Sequence, residues 1–261
     1  MRTLDPGNRA ALVVSHPGHE LRVYEWLRQT QPKVFVLTDG SGRAGVSRLA
    51  ATTQLLQEIG VQHGNIYGRF SDSQFYAALL AADFAPFRTI VDELATVFAT
   101  ERIHYVVADA AEGYNPAHDV CRLLVDAAVR LTYEQWKWEV ASFDFSLVGR
   151  PADCYKDRQS RTVLVQLDET AFARKRAAAR AYVSLTSEID ALIERLGAMA
   201  FRVECLRLVE TRFPTQVDWT TKPPFYEQHG ESRVTGGYYQ QVIRYREHVK
   251  PLAEALWRLS V

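Results

Sequence analysis

A ten-residue stretch near the start of the chain, residues 11–20, constrains the fold most strongly. It reads ALVVSHPGHE, so an apolar run leads to His16, a Pro-Gly pair turns the chain, and His19 follows. A short apolar run bounded by turn residues predicts a buried strand, and apolar residues at helical spacing over 21–30 predict a helix. Both imidazoles then lie at the carboxyl end of a strand, where open α/β sheets place their ligand crevice.

The first half of the chain alternates predicted strands with predicted helices. Strands are predicted at residues 11–14, 33–38, 65–67 and 103–108, and helices at residues 21–30, 46–59, 75–82, 87–100 and 117–131. Asp39-Gly40 ends the second strand with a strong turn signal, and Asn115-Pro116 supplies an N-cap residue and a proline at the first helical position. This alternation predicts an α/β fold with a Rossmann-like, doubly wound and mostly parallel sheet.

The second half of the chain is less regular. Strands are predicted at residues 143–148, 162–167 and 201–209, and helices at residues 170–196 and 238–259. Residues 211–237 are rich in Pro, Gly and aromatic residues, which predicts a packed loop rather than a flexible linker. The basic cluster at residues 174–180 predicts a solvated helix face. We expect one domain over residues 1–261, with a core at about 10–209 and a C-terminal elaboration at about 210–261.

Composition narrows the class of protein. Thirty-one basic residues balance thirty-one acidic ones, which argues against nucleic acid or an anionic membrane as the main partner. Residues 1–9 lack the apolar core of a signal peptide, and no apolar run is long enough to span a membrane. The three cysteines, Cys121, Cys154 and Cys205, form no CxxC pair, so we expect no disulfide framework. We therefore expect a cytoplasmic protein that acts on a small molecule, with homo-oligomerisation left open.

A further histidine follows the fourth predicted strand. If the first and fourth strands are neighbours, His118 in the first helical turn can face His16 and His19. Three converging imidazoles form a good zinc site with one open position. Because neutral imidazoles leave zinc its full charge, such a site can lower the pKa of a bound water to about 7. The competing interpretation is that one or more of these histidines caps a helix or packs in the core.

These features resemble the LmbE-like (PIG-L) deacetylase family. The resemblance rests on the strand ending in His-Pro-x-x-Glu, on the turn at residues 38–42 and on the loop that ends in His118. It covers roughly residues 10–200, including the helix around 175–189, and does not extend to the last 50 residues. It implies a Rossmann-like fold and a single zinc ion that serves to remove acetyl groups from N-acetylglucosamine-type substrates.

The chain departs from the family at the residues that handle protons. The family's first motif reads His-Pro-Asp-Asp-Glu, in which the histidine and second aspartate bind zinc and the first aspartate is the general base. Here His16 is kept, His19 replaces the liganding aspartate, and Gly18 stands at the position of the base. In the family's later His-x-x-His motif the first histidine assists the transition state and the second binds zinc. Asn115 and His118 occupy those positions here, so the resemblance implies a metal triad without either proton-handling group.

Another carboxylate would then serve as base. Asp109, Asp39 and Glu20 are candidates because each lies on a loop at the same predicted sheet edge, and Asn115 can donate a hydrogen bond to an oxyanion. Glu20 has a competing role at a helix start, and Asp39 a competing role in its own turn. Asp109 is therefore our first choice.

The sequence favours a zinc-dependent hydrolase of an amide or N-acyl bond on a small substrate, which the resemblance implies is an N-acylated amino sugar, with another divalent metal left open. Arg43 and Arg48 follow the Gly-rich turn and are candidate substrate-binding residues. Trp219, Phe225 and Tyr226 either form a wall of a substrate pocket or pack in the core. Two alternatives remain: a metal-binding relative that has lost deacetylation, with a role in specialised metabolism among the options, and a metal-free Rossmann-like nucleotide-binding protein. The nucleotide-binding alternative is disfavoured because the chain has no G-x-G-x-x-G motif after the first predicted strand.

Overall fold

The computed structural model describes residues 7–153, 162–210 and 219–260, apart from the side chains of Arg43 and Ser260. The described strands are β1 (Ala10–Val14), β2 (Lys33–Thr38), β3 (His63–Phe70), β4 (Tyr105–Asp109), β5 (Ala141–Phe145), β6 (Thr162–Gln166) and β7 (Val203–Val209). The described α-helices are α1 (Tyr24–Thr30), α2 (Leu49–Glu58), α3 (Asp72–Leu80), α4 (Ala85–Thr100), α5 (Pro116–Trp136), α6 (Glu169–Ala181), α7 (Thr186–Leu196), α8 (Phe225–Thr235) and α9 (Lys250–Trp257).

The strands form one mixed sheet in the order β3-β2-β1-β4-β5-β7-β6. The first five strands in that order are parallel, and β7 runs antiparallel to both of its neighbours. This confirms the predicted α/β fold. Since β1 lies between β2 and β4, the carboxyl ends of these three strands meet at one edge of the sheet, as the histidine hypothesis requires.

Both faces of the central strands are covered. Ala11 and Val13 of β1 enter the hydrophobic core on one face, and Leu12 and Val14 enter the core on the other. Successive strand residues point to opposite faces, so a run without polar residues is what a doubly covered strand needs. Helices α4 and α5 pack on the first face, together with α9 from the C-terminal part.

The helix predicted over residues 170–196 is interrupted, and in this respect the prediction is wrong. Helix α6 ends at Ala181, a 3₁₀ turn spans Val183–Leu185, and α7 begins at Thr186. Tyr182 breaks the helix with φ −82° and ψ 69°. Its ring is almost fully buried, and its hydroxyl lies 2.8 Å from the Thr52 hydroxyl, so a tertiary contact overrides helical periodicity.

The C-terminal part differs from the sequence prediction in two places. Helix α8 lies within the predicted loop at residues 211–237, of which residues 211–218 are outside the described residues. Pro224 precedes this helix in extended conformation, and the Tyr226 amide donates to the Gly113 carbonyl at 3.1 Å. The last helix begins later than predicted, because a π-helical turn at Tyr245–Val249 comes before α9.

Two further expectations hold only in part, since Arg176 and Arg180 of the basic cluster are exposed and Cys121 is not paired with another cysteine. Lys175 is buried rather than solvated, and its Nζ donates to Glu204 Oε1 at 2.8 Å and to the Arg22 carbonyl at 2.9 Å. Cys205 is disulfide-bonded, whereas Cys121 is a buried free thiol. Within the described part of the chain, no helix has the length and apolar character to cross a membrane.

Candidate active site

The three predicted histidines come together at the carboxyl edge of the sheet. His16 follows β1, His19 begins the 3₁₀ helix His19–Val23, and His118 lies in the first turn of α5. The ring centroids of His16 and His19 are 5.3 Å apart, those of His16 and His118 5.5 Å, and those of His19 and His118 4.7 Å. Local signals fix the start of α5 and so the position of His118, because Asn115 caps this helix with its side chain and Pro116 begins it.

A buried carboxylate orients His19. Asp109, the last residue of β4, accepts a hydrogen bond at Oδ2 from His19 Nδ1 at 2.9 Å. The same oxygen accepts the Ser15 amide at 2.8 Å and the Ser15 hydroxyl at 2.6 Å. A carboxylate bound to one ring nitrogen fixes the ring orientation and leaves the other nitrogen for a metal.

A second carboxylate lies behind His16. His16 Nδ1 lies 2.8 Å from the Thr38 hydroxyl and 3.2 Å from Oδ1 of Asp72, the first residue of α3. Asp72 Oδ2 accepts the Gly42 amide at 2.7 Å, which holds this carboxylate in place. His16 Nε2 is buried and has no hydrogen-bond partner among the described residues, so this ring nitrogen is left unpaired beside the other two histidines.

Burial favours the neutral form of two of the imidazoles, His16 and His118, and the histidine rings favour the charged form of the carboxylates Asp72 and Asp109. Burial lowers the pKa of His16 and holds the pKa of His118 well below its usual range, and the neighbouring His19 adds to this effect. Burial alone raises the pKa of Asp109, but the charge and hydrogen bond of His19 outweigh it and lower the pKa to about 2. His16 lowers the pKa of Asp72 in the same way. Neutral imidazoles backed by ionised carboxylates are what divalent metals bind.

The spacing of the rings fits a metal centre, although the donor atoms are not yet arranged as one. Three imidazoles around a tetrahedral zinc have centroids about 5 Å apart, and the observed separations of 4.7 to 5.5 Å bracket that value. Within the described ranges, no three His, Cys, Asp or Glu side chains form a ready-made ligand set. His118 Nδ1 is buried without a partner there as well. The donor types and the ring separations therefore fit a divalent metal ion.

The geometry gives the three candidate bases other tasks. Asp109 is fully buried behind His19, where it orients the ring rather than facing a substrate. Glu20 is also fully buried, and accepts the Gly18 amide and the Thr52 hydroxyl, both at 2.7 Å. Asp39 Oδ1 accepts the Ser41 amide at 2.9 Å within its own turn. The structural interpretations offered for Glu20 and Asp39 thus match their contacts.

Asn115 borders the cavity next to the histidines. Its Oδ1 accepts the Ala117 amide at 2.8 Å and the Tyr76 hydroxyl at 3.1 Å. Both of these hydrogen bonds to described residues use Oδ1, so the amide Nδ2 is the group left to donate. Asn115 therefore suits the predicted role of an oxyanion donor.

Gly18 lies in a conformation that only glycine adopts readily, with φ +102°. A Cβ atom at this position would come within 2.1 Å of Leu185 Cδ1 and 3.6 Å of the Tyr182 ring. The turn between α6 and α7 thus occupies the space next to residue 18. The local packing therefore disfavours a carboxylate at this position, because a side chain there requires both a change of backbone conformation and a displacement of Leu185.

The histidines open into a cavity of about 990 Å³. Arg48 borders this cavity, whereas the side chain of Arg43 lies outside the described residues. Tyr226 borders the cavity but is mostly packed in the core. Trp219 covers Gly113, and Phe225 stacks on Tyr114 at 5.2 Å between centroids.

Two acidic residues of the site region were not found from the sequence. Asp72 lies in the first turn of α3, where its capping-box neighbours Ser71 and Gln74 signal a helix start and nothing about His16. Asp119, beside His118, accepts the amides of Glu112 and Gly113 at 3.0 Å and Trp219 Nε1 at 3.2 Å. Burial raises the pKa of Asp119 to about 7 in spite of these donors. Asp119 thus fastens the loop that precedes Asn115.

Comparison with known proteins gives a match in structure only. No protein-family model matches the chain, and no curated protein sequence is detectably similar to it. The zinc-inhibited form of teicoplanin deacetylase Orf2 superposes with a TM-score of 0.54 at 15% identity, over 77% of this chain and 97% of that one. The A40926 pseudoaglycone deacetylase Dbv21 superposes with a TM-score of 0.53 at 18% identity, over 78% and 98%.

A conserved protein from Thermus thermophilus superposes with a TM-score of 0.52 at 17% identity, over 82% of this chain and 98% of that one. These structures share the α/β architecture described above, with most of each neighbour's length matched. At such identities, the likeness establishes for this chain only the α/β fold that it shares with these structures.

Proposed function

We propose that the chain is a metal-dependent, deacetylase-like hydrolase that cleaves an amide or N-acyl bond of a small, sugar-containing substrate. His16, His19 and His118 are its proposed metal ligands, and zinc is the first candidate ion. The observation that carries this proposal is the convergence of three imidazoles, all pairs within 5.5 Å, at the ligand-binding edge of the sheet. The deacetylases with the same fold support it.

The chain's own residues would bind the metal ion, orient its ligands and stabilise the negative charge that develops on the substrate. A divalent ion supplies Lewis acidity for the acyl carbonyl and lowers the pKa of a bound water. Asp109 and Asp72 hold His19 and His16 by their Nδ1 atoms, so that each ring keeps its other nitrogen for the ion. Asn115 donates through Nδ2 to the oxygen on which negative charge develops. Arg48 contributes a cation at the side of the cavity that His16 and Pro17 border.

Proton handling is the least conventional part of this proposal. A missing general base typically costs a factor of about 10²–10⁴ in rate. Among the described residues around the cavity, the carboxylates are Asp72, which is paired with His16, and Glu188 on α7. Together with the Leu185 contact at Gly18, this favours one alternative: a metal-binding relative that uses Lewis-acid chemistry other than deacetylation.

The first test is the metal content of the purified protein. We expect about one zinc per chain in the wild type and its loss in His19→Ala and His118→Ala. His63→Ala is the matched control, because His63 is exposed and lies outside the cluster. A wild type that takes up no zinc would refute the metal centre. Equal zinc content in all variants would refute the ligand assignment.

The second test separates hydrolysis from other metal chemistry. Loaded protein is incubated with N-acetylglucosamine derivatives, and the released amine is measured for the wild type and for Asn115→Ala. We expect slow release that falls by about 10²–10³-fold in Asn115→Ala if this residue stabilises the oxyanion. A protein that holds zinc and releases no amine supports the alternative instead. The cytoplasmic location and the single-domain organisation stay predictions.

A further inference from the structure

Helix α7 (Thr186–Leu196) presents an apolar face that protein covers only in part, since Ile189 packs against the buried core whereas Ile193 is exposed. None of its residues is buried, and its principal contacts come from neighbouring segments: α6, the Val183–Leu185 turn and the 3₁₀ helix Ala198–Arg202. Leu185, Ile189, Leu192 and Ile193 follow helical spacing and border the cavity that holds the histidines. A helix that keeps its apolar stripe towards a cavity leaves that stripe available to a ligand.

The cavity has further apolar lining outside α7. Leu21, Leu147, Val148, Phe172 and Phe201 also border it. A cavity of about 990 Å³ is at the upper end of the range for small-molecule sites, so it holds much more than an acetyl group. From Leu185 to Ile193 the face is about 12 Å long, roughly the extended length of a chain of ten carbons.

The charges around the cavity complement an anion. The described cations there are Arg22, Arg48, Lys175, Arg176 and Arg195, against the carboxylates Asp72 and Glu188. Glu204 neutralises Lys175, and the Glu112 carboxylate near Arg22 offsets part of the positive charge there, so among the described residues four arginines remain against three carboxylates.

Arg22 lies close to the histidines and is held rigidly. It follows His19 by one turn of the same 3₁₀ helix, a rise of about 6 Å. Its guanidinium is only 8% exposed and donates to the carbonyls of Ser146 and Gly149. Its Nη1 is buried and has no hydrogen-bond partner among the described residues. Arg195 Nη2 donates to the carbonyl of Val148 in the same loop, so a second cation lies near Arg22.

We propose that this cavity binds amphiphilic N-acyl compounds, with an apolar chain of about ten carbons along α7 and an anionic group near Arg22 and Arg195. The apolar chain covers the face of α7, and the anion pairs with a guanidinium already desolvated and fixed. The proposal rests on the proposed function for the position of the amide at the histidines. Binding of the chain and of the anion depends only on the cavity residues.

The test measures binding by calorimetry to the metal-free protein. The probes are N-decanoylglycine, N-acetylglycine without the chain, and the neutral N-decanoylglycinamide, each below its micelle-forming concentration. We expect N-decanoylglycine to bind at least about 100-fold more tightly than N-acetylglycine, because each buried methylene contributes to affinity. We expect the glycinamide to bind about tenfold more weakly than N-decanoylglycine.

A matched pair of variants locates the chain. Leu192→Asn replaces a residue on the cavity face, and Ala191→Asn makes the same new side chain at an exposed neighbour outside the cavity. We expect Leu192→Asn to weaken N-decanoylglycine binding about tenfold and Ala191→Asn to leave it unchanged. Equal effects of both variants would overturn the assignment to α7, and equal affinity for the decanoyl and acetyl probes would overturn the apolar subsite.

Other outcomes are also decisive. Equal affinity for N-decanoylglycine and its glycinamide would refute the anionic group. Light scattering that shows a dimer, dissociated by Leu192→Asn, would mean that a second copy covers α7. Zinc binding without N-decanoylglycine binding would leave the proposed function intact and refute this inference. N-decanoylglycine binding without zinc binding would refute the proposed metal centre and leave this inference intact.

Discussion

Helices α6 and α7 follow one another in the chain, share an amphipathic pattern and are held in different ways. Helix α6 buries Ala171, Phe172 and Lys175, and Lys175 reaches a carboxylate on β7. Helix α7 buries no residue, and its apolar face borders the cavity. Periodicity alone says that a helix has an apolar face, and the tertiary structure decides whether protein or ligand covers it.

The two walls of the candidate site differ in how firmly they are held, and each suits a different task. The wall with the histidines is held by the buried hydrogen bond from His19 to Asp109 and by the buried contact of His16 with Asp72, which suits a centre that needs fixed donor atoms. The wall formed by α7 is held by few buried contacts, which suits a surface that adapts to a substrate.

The largest expected effect is on the anchor of α6. Lys175→Met removes the partner of Glu204, which is fully buried and also accepts the Glu25 and Trp26 amides. Breaking a buried ion pair costs about 3–5 kcal/mol, measured as the free energy of unfolding in urea. Arg180→Met, exposed on the same helix, is the control and should change stability by no more than about 0.5 kcal/mol. Similar losses of unfolding free energy in both variants would show that Lys175 anchors α6 no more than the exposed Arg180 does.

The junction between the two helices should be the next most sensitive position. Gly18→Ala places a methyl group against Leu185 at φ +102° and should cost about 1–3 kcal/mol of unfolding free energy. Adding Leu185→Ala relieves the contact but not the backbone strain, so the double variant should recover only part of the loss. Strict additivity of the two single changes would show that Leu185 does not restrict residue 18.

The wall with the histidines should be sensitive in metal affinity. Asp109→Asn keeps the shape of the side chain but removes the charge bound to His19 Nδ1, so zinc affinity should fall about 10–100-fold in a chelator competition. Asp39→Asn is the control, because an amide oxygen can still accept the Ser41 amide. Unchanged affinity in Asp109→Asn would mean that His19 needs no orienting carboxylate.

The smallest expected effect is on α7. Ile193→Asn should lower the unfolding free energy of the ligand-free protein by less than about 1 kcal/mol, because this side chain is already 37% exposed. Phe172→Ala on α6, where the ring is 6% exposed, should cost about 3 kcal/mol or more. A large loss in Ile193→Asn would indicate that protein, rather than ligand, covers this face.

The sequence by itself determined the sheet, the turn after β1 and the three histidines. Apolar runs predict doubly covered strands, and His118 was expected beside His16 and His19 on the condition that β1 and β4 are neighbours, a condition that the structure meets. These are local sequence patterns and a common topology, and both can be inferred from the sequence alone. The start of α5 was equally legible, because Asn115 and Pro116 encode it directly.

Only the tertiary structure decided which carboxylates serve the site. Asp72 reaches His16 from α3, 56 positions along the chain, and Asp109 turned out to lie behind His19 rather than in front of a substrate. Burial of Lys175 and Tyr182 depended on partners more than 20 residues away, and the break at Tyr182 divided one predicted helix into two. Sequence patterns report which faces are apolar, whereas long-range contacts choose what meets them, because burial and hydrogen bonding are properties of the whole fold.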